Sequence, residues 1–219
     1  MISYDKIIQS EVIRTYITSA DESLAALGFT EHSFTHVFHV AETVEYILSV
    51  MGYDAHTIEL GKIAGYLHDI GNLLNRKEHS QSGGIMAWSI LNDMKCEPKD
   101  IATIVTAIGN HDEGTGVPVN AVAAALILAD KADVRRSRVR NQDFSSFDIH
   151  DNVNYSVIDS VLEINGEKTE IELRLTIDTE YGSIMDFFEI FMERMLMCKR
   201  AAEKIGLKFK LRMNGQQIV

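Results

Sequence analysis

The segment AVAAALILA, residues 121–129, constrains the fold most, because it is apolar at every position. An amphipathic surface helix needs only one apolar stripe, whereas a helix that is apolar on all sides has to be surrounded by protein or lipid. The segment is far shorter than the ~20 apolar residues that a bilayer-spanning helix requires. We therefore expect a helix from about Asn120 to Asp133 at the centre of a helical bundle.

The chain before residue 120 contains apolar residues that recur at helical spacing. Asp54 is a suitable N-cap for one of these helices, and Pro98 fits the first turn of another. The polar stretch NRKEHSQS, residues 75–82, predicts a loop between helices. The helices are expected at about 4–27, 33–51, 54–69 and 84–94, followed by one that begins near Pro98.

After about Asn141 the periodicity changes from helical to alternating. Residues 152–164 are rich in β-branched side chains, and Asn165-Gly166 is typical of a two-residue hairpin turn. Strict alternation over 171–177 predicts a half-buried strand, a long amphipathic helix follows at about 182–205, and a last strand begins near Leu207. The expected protein is mainly α: a helical bundle over 1–145 with a small C-terminal α+β unit, ordered β-β-α-β, over 146–219.

The net charge of −11 argues against a nucleic-acid partner, because non-specific binding to phosphates requires a basic face. Two cysteines, Cys96 and Cys198, are too few for a disulfide framework or a thiolate metal cage. The N-terminal residues lack the pattern of a secretory signal, and no apolar stretch is long enough for a membrane span. We expect a soluble cytoplasmic protein without a membrane partner.

The bundle presents histidines and acids that could bind metal, each on a different predicted helix, at a helix end or in a loop. Imidazole and carboxylate ligands without thiolate suit Fe, Mn or Zn, with Mg as a further alternative, rather than a structural zinc site. A carboxylate next to a histidine at a helix end could bridge two ions. The candidate ligands, in chain order, are His36, His68, Asp69, His79, His111 and Asp130.

Taken singly, most of these residues have simpler explanations. A His-Asp pair at a helix terminus often interacts with the helix dipole, and His111 or His79 could be exposed. His39 competes with His36, since it lies one turn later on the same face. Asp130 is harder to explain without a cation, because it ends an apolar segment and burial of an unpaired carboxylate is costly.

Taken together, the motifs resemble the HD-domain superfamily of metal-dependent phosphohydrolases, whose pattern is H…HD…D along successive helices. The matching stretches are HVFHVAETV, AGYLHDIGN and ALILADKAD, which contain His36, His68-Asp69 and Asp130. The resemblance covers roughly residues 30–140 and implies an HD-type bundle that binds a divalent ion through these four side chains. The alignment favours His36 over His39 as the first ligand.

Two further stretches resemble the binuclear branch of that superfamily. KEHSQSGGIMAWSIL and AIGNHDE place His79 and His111 as ligands of a second metal, with Asp69 bridging. The nearest subgroup is the HD-domain diadenosine tetraphosphate phosphatases, and the HD-GYP phosphodiesterases are more distant. Asn72 stands where a lysine is common after HDIG, His111 is followed by Asp112 where the pattern has a second histidine, and no GYP follows.

A basic run, KADVRRSRVR at 131–140, follows Asp130 directly in this acidic chain. Arginine side chains match phosphate oxygens bidentately, so Arg135 and Arg136 are candidate substrate contacts. Part of the run could instead be a solvated helix end near the C-terminal dipole. Lys131 is the nearest candidate for a general acid, and it could equally hold the substrate.

These features predict an enzyme that hydrolyses a phosphoester or phosphoanhydride bond with metal-activated water, in a nucleotide or nucleotide-derived substrate. Alternatives are a regulatory HD module that binds metal and nucleotide without turnover, a di-iron oxygenase on a related scaffold, and a structural domain without metal. The apolar stripe in FFEIFMERMLM, residues 187–197, fits a core, a lid over the site, a homodimer interface or a regulator-binding surface, and the sequence does not choose among these.

Overall fold

The computed structural model describes residues 2–219, which form a mainly α protein with a small C-terminal α+β unit. Its α-helices are α1 (Tyr4–Ile8), α2 (Glu11–Ala26), α3 (Phe34–Val50), α4 (Ala55–Leu67), α5 (His79–Asp93), α6 (Pro98–Gly109), α7 (Ala121–Ala132), α8 (Ile149–Ser156) and α9 (Ile184–Lys204). The strands are β1 (Val157–Ile164), β2 (Glu170–Ile177), β3 (Lys208–Met213) and β4 (Gln216–Gln217). Short 3-10 turns cover 70–73, 136–138 and 144–146.

Helix α7 lies at the centre of the bundle, as its sequence predicts. Every residue from Val122 to Ala129 is buried, and the helix contacts α3, α4, α6 and α9. The Asn120 side chain accepts a hydrogen bond from the backbone amide of Ala123, which satisfies one of the unpaired amides of the first turn. Asp130 and Lys131 both lie in the last turn of α7.

The ends of α3, α4 and α6 follow local signals in the chain. Ser33 caps α3, Asp54 caps α4 by accepting from the amide of Thr57, and Pro98 occupies the first turn of α6. These caps depend on neighbours within a few residues, so the sequence predicts them well.

Helices α3 and α4 approach closely at Gly65. A Cβ on Gly65 would lie 2.9 Å from the Cα of Ala41, so only glycine permits this separation of the two backbones. The close approach brings His36 on α3 beside His68 at the end of α4, whose ring centroids are 5.1 Å apart. Packing between the two helices therefore sets the distance between two candidate ligands.

Two helical predictions were wrong in their bounds. The segment expected to form the first helix forms two helices, α1 and α2. The helical conformation is interrupted before Ser10, whose side chain caps α2 by accepting a hydrogen bond from the amide of Ile13. The fourth expected helix begins at His79 rather than near residue 84. Glu78 adopts a left-handed conformation with φ of 59°, which turns the polar stretch directly into α5.

The C-terminal unit is a four-stranded sheet in the order β1-β2-β3-β4, with α9 connecting β2 to β3. β1 and β2 are antiparallel, β2 and β3 are parallel, and β3 and β4 are antiparallel. In β2 the alternate side chains Ile171, Leu173, Leu175 and Ile177 are buried, which confirms the predicted pattern.

The structure departs from the predicted C-terminal unit in three places. Residues 152–156 belong to helix α8 rather than to a strand. The β1–β2 loop covers 165–169, because the Asn165 side chain accepts from the amides of Thr169 and Glu170 and so stabilises a longer turn than Asn-Gly predicts. A short β4 follows Asn214-Gly215. The apolar core is continuous through both parts of the chain, and α9 packs across α7.

Candidate metal centre

The candidate centre forms where α4 ends. His68 follows α4 directly, and Asp69 precedes a 3-10 turn over 70–73 that reverses the chain. A Cβ on Gly71 would clash with the carbonyl oxygen of His79 and the amide nitrogen of Gly83. Glycine at this position therefore lets the first turn of α5 lie against the His68-Asp69 segment.

One group of ligand atoms lies between α3, the end of α4 and α7. The Nε2 atoms of His36 and His68 are 3.2 Å apart. Asp69 Oδ2 lies 3.5 Å from His36 Nε2 and 3.2 Å from His68 Nε2. Asp130 Oδ1 lies 3.5 and 3.6 Å from the same two nitrogens. The structure thus brings together the four residues that the sequence predicts as ligands of a first ion.

A second group lies on the opposite side of Asp69. The Nε2 atoms of His79 and His111 are 3.0 Å apart, and Asp69 Oδ1 lies 3.3 Å from the former and 3.9 Å from the latter. The two oxygens of Asp69 therefore face two different pairs of histidines. His79 and His111 are both buried, although the sequence would allow them to be exposed.

The other ring nitrogen of each of these histidines is held by an acceptor. His68 Nδ1 donates to the carbonyl oxygen of Gly65 at 2.7 Å, and His36 Nδ1 donates to Asp133 Oδ2 at 2.7 Å. His79 and His111 donate in the same way to the carbonyl oxygens three residues before them. Because a carbonyl oxygen can only accept, Nδ1 carries the proton and Nε2 presents a lone pair in the neutral ring.

Opposed lone pairs at about 3 Å repel each other unless a positive charge lies between them. Burial lowers the pKa of His68, but Asp69 and Asp130 outweigh burial and raise that pKa to about 10. Burial would raise the pKa of Asp69, yet the surrounding histidines, His68 foremost, hold it well below its usual range. The carboxylates therefore stabilise positive charge beside His36 and His68, as a cation site must, whereas burial and the neighbouring His79 hold the pKa of His111 well below its usual range.

The donor set fits a divalent cation. Ligand atoms of His36, His68 and Asp130 all lie within 4.8 Å of one another, as do those of His68, Asp69 and His111. Imidazole nitrogens held by a backbone or carboxylate acceptor, combined with carboxylate oxygens, are typical of transition-metal sites in proteins. Buried His and Asp residues of this centre could thus bind a metal ion.

A series of oppositely charged side chains runs from Asp130 in the centre to Arg194 on α9. Lys131 Nζ lies 2.8 Å from Asp130 Oδ2 and 3.3 Å from Glu113 Oε2, and Arg194 Nε lies 2.6 Å from Glu113 Oε1. Burial lowers the pKa of Lys131, but Asp130 and Glu113 raise it above its ordinary value. Lys131 thus keeps its charge and holds one oxygen of Asp130, while the other oxygen faces His36 and His68.

A cleft of about 370 Å³ opens over Asp69, His79 and Asp130. Four cationic side chains and four carboxylates line it, together with residues of the 27–30 turn and of helix α8. The lining residues are Leu27, Gly28, Phe29, Thr30, His32, Asp69, Arg76, His79, Asp130, Lys131, Arg138, Asp148, His150, Asp151, Asn154, Phe191 and Arg194.

Arg135 and Arg136, the predicted phosphate contacts, are not among the residues that line this cleft. Arg135 donates to Asp133 and Ser137, while Arg136 pairs with Asp178 at 2.9 Å and lies over the Tyr155 ring. After α7 the chain is extended at Arg135 and forms a 3-10 turn over 136–138. Arg138 of the same run does line the cleft.

Three residues of the cleft escaped the sequence analysis. His32 lies four residues before His36, its Nδ1 is held by the carbonyl oxygen of Thr30, and its Nε2 is 3.9 Å from Asp69 Oδ2. The four-residue spacing from His36 was a signal that could have revealed it. Arg76 and Arg194 carried no comparable signal, because only the tertiary structure brings them to Asp69 and Glu113.

His39 lies outside the candidate centre. Its side chain is 51% exposed, and its Nε2 is 3.9 Å from Asp133 Oδ1, which is a distant approach compared with the 2.7 Å contact of His36 with the same residue. Between the two histidines of α3, the structure thus places His36 among the other candidate ligands.

Comparisons with known proteins identify a distant relative but no family. No family model matches the chain. A protein of Methanocaldococcus jannaschii, described as uncharacterized, is 24% identical over an alignment of 216 positions, and the match covers 88% of this chain and 82% of the relative. The uncovered part of the chain is much shorter than residues 146–219, so the match includes most of the C-terminal unit.

In residues 2–219, no helix combines the length and the apolar composition that crossing a bilayer demands.

Proposed function

We propose that this protein binds one or two divalent ions at the candidate centre and hydrolyses a phosphoester or phosphoanhydride bond in a small nucleotide or nucleotide-derived substrate. The observation that carries the proposal is the position of Asp69, whose two oxygens face separate histidine pairs in a cleft that three arginines and Lys131 also line. Such a carboxylate can bridge two ions, and a two-ion centre suits displacement at phosphorus.

Divalent ions at these positions would lower the pKa of a bound water and offset the charge of a phosphate group. The side chains of this chain have supporting roles. Lys131 holds Asp130 Oδ2, so that Oδ1 remains directed at His36 and His68. Arg76 and Arg194 line the same cleft and can pair with phosphate oxygens, in place of the predicted Arg135 and Arg136.

The resemblance to HD-domain phosphohydrolases supports the same proposal. The three motifs that carry the resemblance lie on α3, at the end of α4 and on α7, and their ligand atoms converge. We accordingly propose that the chain is a member of that superfamily, of the binuclear type. Fe and Mn are the favoured ions, because they accept mixed imidazole and carboxylate ligands, and Zn and Mg remain alternatives.

Metal analysis of protein purified without chelators tests the first part of this proposal. Two ions per chain in the wild type, one in His111→Ala and none in Asp69→Ala are the expected stoichiometries, because Asp69 faces both histidine pairs. Wild-type protein that binds no divalent ion after incubation with Mn²⁺ or Fe²⁺ would refute the proposal.

Hydrolysis of a panel of nucleotides and nucleotide-derived phosphates tests the second part. Activity should require the metal and disappear in His36→Ala, while His39→Ala, an exposed histidine one turn later on α3, serves as the matched control and should remain active. Equal activity in a folded His36→Ala variant would contradict the assignment. Binding of a nucleotide without turnover would instead favour a regulatory module.

A further inference from the structure

Arg76 makes an unusual contact with the second group of candidate ligands. Its Nη1 donates to Nε2 of His79 at 3.3 Å and lies 3.7 Å from Asp69 Oδ1. The same nitrogen donates to the side-chain oxygen of Asn72 at 3.3 Å, and Asn72 in turn donates to Asp69 Oδ1 at 2.9 Å. The guanidinium is thus directed at the His79 side of Asp69.

The contact with His79 excludes a metal ion from that nitrogen. Because Nδ1 of His79 donates to the carbonyl oxygen of Arg76, Nε2 has the single lone pair of the neutral ring. A lone pair that accepts a hydrogen bond from Arg76 cannot bind a cation at the same time. The positive charge of Arg76 would also repel a divalent ion held by Asp69 Oδ1 and His79.

Arg76 differs in this respect from the other arginines of the cleft. Arg138 donates to the backbone oxygens of Glu31 and Asp133 at 2.9 and 2.7 Å, and Arg194 pairs with Glu113 at 2.6 Å. The two hydrogen bonds of Arg76 are both 3.3 Å, which is long for nitrogen donors. Arg76 can therefore leave His79 at a smaller cost than the other two can leave their partners.

We propose that Arg76 links the second metal ion to the phosphate group: when Arg76 contacts His79 the second ion is excluded, and a phosphate that pairs with Arg76 in the cleft favours binding of that ion. This inference rests on the metal centre of the proposed function. Phosphate then favours the second ion in two ways. It draws the Arg76 guanidinium away from His79, and it offsets the positive charge of Arg76 beside the ion. By reciprocity, the second ion raises the affinity for phosphate by the same factor.

The first ion is independent of this linkage. Its candidate ligands are His36, His68, Asp130 and the Oδ2 atom of Asp69. Within the centre, Arg76 contacts the Oδ1 atom of Asp69 and His79. The affinity for the first ion should consequently be the same with and without phosphate, whereas the affinity for the second should be lower when phosphate is absent.

The test is calorimetric titration of the full chain with Mn²⁺ at constant ionic strength, with and without inorganic phosphate. In the wild type, phosphate should raise the affinity for the second ion about tenfold, within the usual range of coupling between sites. In Arg76→Gln the second ion should bind about tenfold more tightly without phosphate, and the effect of phosphate should disappear. The affinity for the first ion should not change in either protein.

Arg174→Gln is the matched control, because it removes one positive charge from β2, where Arg174 pairs with Glu163 and Glu172 and does not line the cleft. It should behave as the wild type. If Arg76→Gln does not fold, Arg76→Met provides the same loss of charge with a more apolar stem. Circular dichroism and the affinity for the first ion report whether either variant is intact.

An unchanged or weaker affinity for the second ion in the folded Arg76 variant overturns the inference, as does a wild type that binds a single ion whether or not phosphate is present. Binding of two ions with affinities that do not change when phosphate is added also overturns the inference, but it does not contradict the proposed hydrolysis. Linkage between phosphate and the second ion, in a protein that hydrolyses no phosphate ester, supports the inference and refutes the proposed function.

Discussion

Asp133 Oδ2 accepts a hydrogen bond from His36 Nδ1 at 2.7 Å, and both side chains are buried. The carboxylate is itself held by Arg135, whose Nε lies 2.7 Å from Oδ1. Burial would raise the pKa of Asp133, but the hydrogen bond from His36 and the charge of Arg138 lower it far below the ordinary value. Asp133 therefore remains ionised, fixes the protonated nitrogen of His36 and turns the Nε2 lone pair toward Asp69 and Asp130.

Replacement of this carboxylate should weaken metal binding without removing a ligand. Asp133→Asn is expected to lower the affinity for the first ion about 10- to 100-fold, since the loss of such supporting contacts has effects of that size. Titration calorimetry with Mn²⁺ measures the change. Asp93→Asn, an exposed carboxylate at the end of α5, is the control, and equal losses in the two variants would contradict the role of Asp133.

Gly71→Ala should disturb both stability and the second group of ligands. The added Cβ would clash with backbone atoms of His79 and Gly83, which cannot move as freely as a side chain. We expect a loss of about 1–3 kcal/mol in the free energy of unfolding, as is typical of overpacking, together with weaker binding of the second ion. Denaturant unfolding and metal titration provide the two measurements.

Gly109→Ala is the control for that experiment. A Cβ on Gly109, the last residue of α6, meets no atom within 4 Å, so alanine should be tolerated there or slightly favoured. Equal stability of the Gly71→Ala and Gly109→Ala proteins would show that the turn can relax around a side chain.

Arg194→Gln should weaken the binding of anions in the cleft. Arg194 is the residue through which α9 reaches Glu113 and, beyond it, Lys131. A charge-assisted contact between guanidinium and phosphate contributes about 1.5–3 kcal/mol, so the dissociation constant for phosphate should rise about tenfold or more. Arg200→Gln, at an exposed position of the same helix, should leave that constant unchanged when both are measured by competition or calorimetry.

The two cysteines should react at very different rates with a thiol reagent. Burial raises the pKa of Cys198 to about 12, so the reactive thiolate is scarce at neutral pH. The buried side chain is also shielded from a reagent in solution. Cys96 is only partly buried. A kinetic assay with an aromatic disulfide should show one thiol modified in the folded protein and the second only after unfolding, and rapid modification of both would contradict the packing of α9 against α7.

Much of the helical bundle could be predicted from local signals. Three helices are capped by side chains that bind backbone amides within three residues, namely those of Asn120, Ser33 and Asp54. The apolar segment 121–129 of α7 indicated a helix at the centre. The order of His36, His68, Asp69 and Asp130 along successive helices was likewise visible without the structure. Local capping and hydrophobic periodicity are properties of short segments, so they can be recognised in the sequence without knowledge of the tertiary structure.

Other features depended on contacts between segments distant in the sequence. Residues 152–156 were predicted as the start of a strand, yet they form the end of α8, which packs against α9. His79 follows polar residues that indicate an exposed loop, but the close approach at Gly71 buries it. Tertiary packing outweighs weak local propensity in both cases.

The sequence by itself determined a mainly helical chain with a central apolar helix, a C-terminal α+β unit and a set of histidines and acids in a fixed order. Only the tertiary structure decided that the two oxygens of Asp69 face different histidine pairs, that Arg135 and Arg136 do not line the cleft, and that Arg76 and Arg194 do. The physical reason is that helix patterns specify which face is buried, whereas the direction of a side chain beyond a helix end depends on the turn that follows and on the segments packed against it.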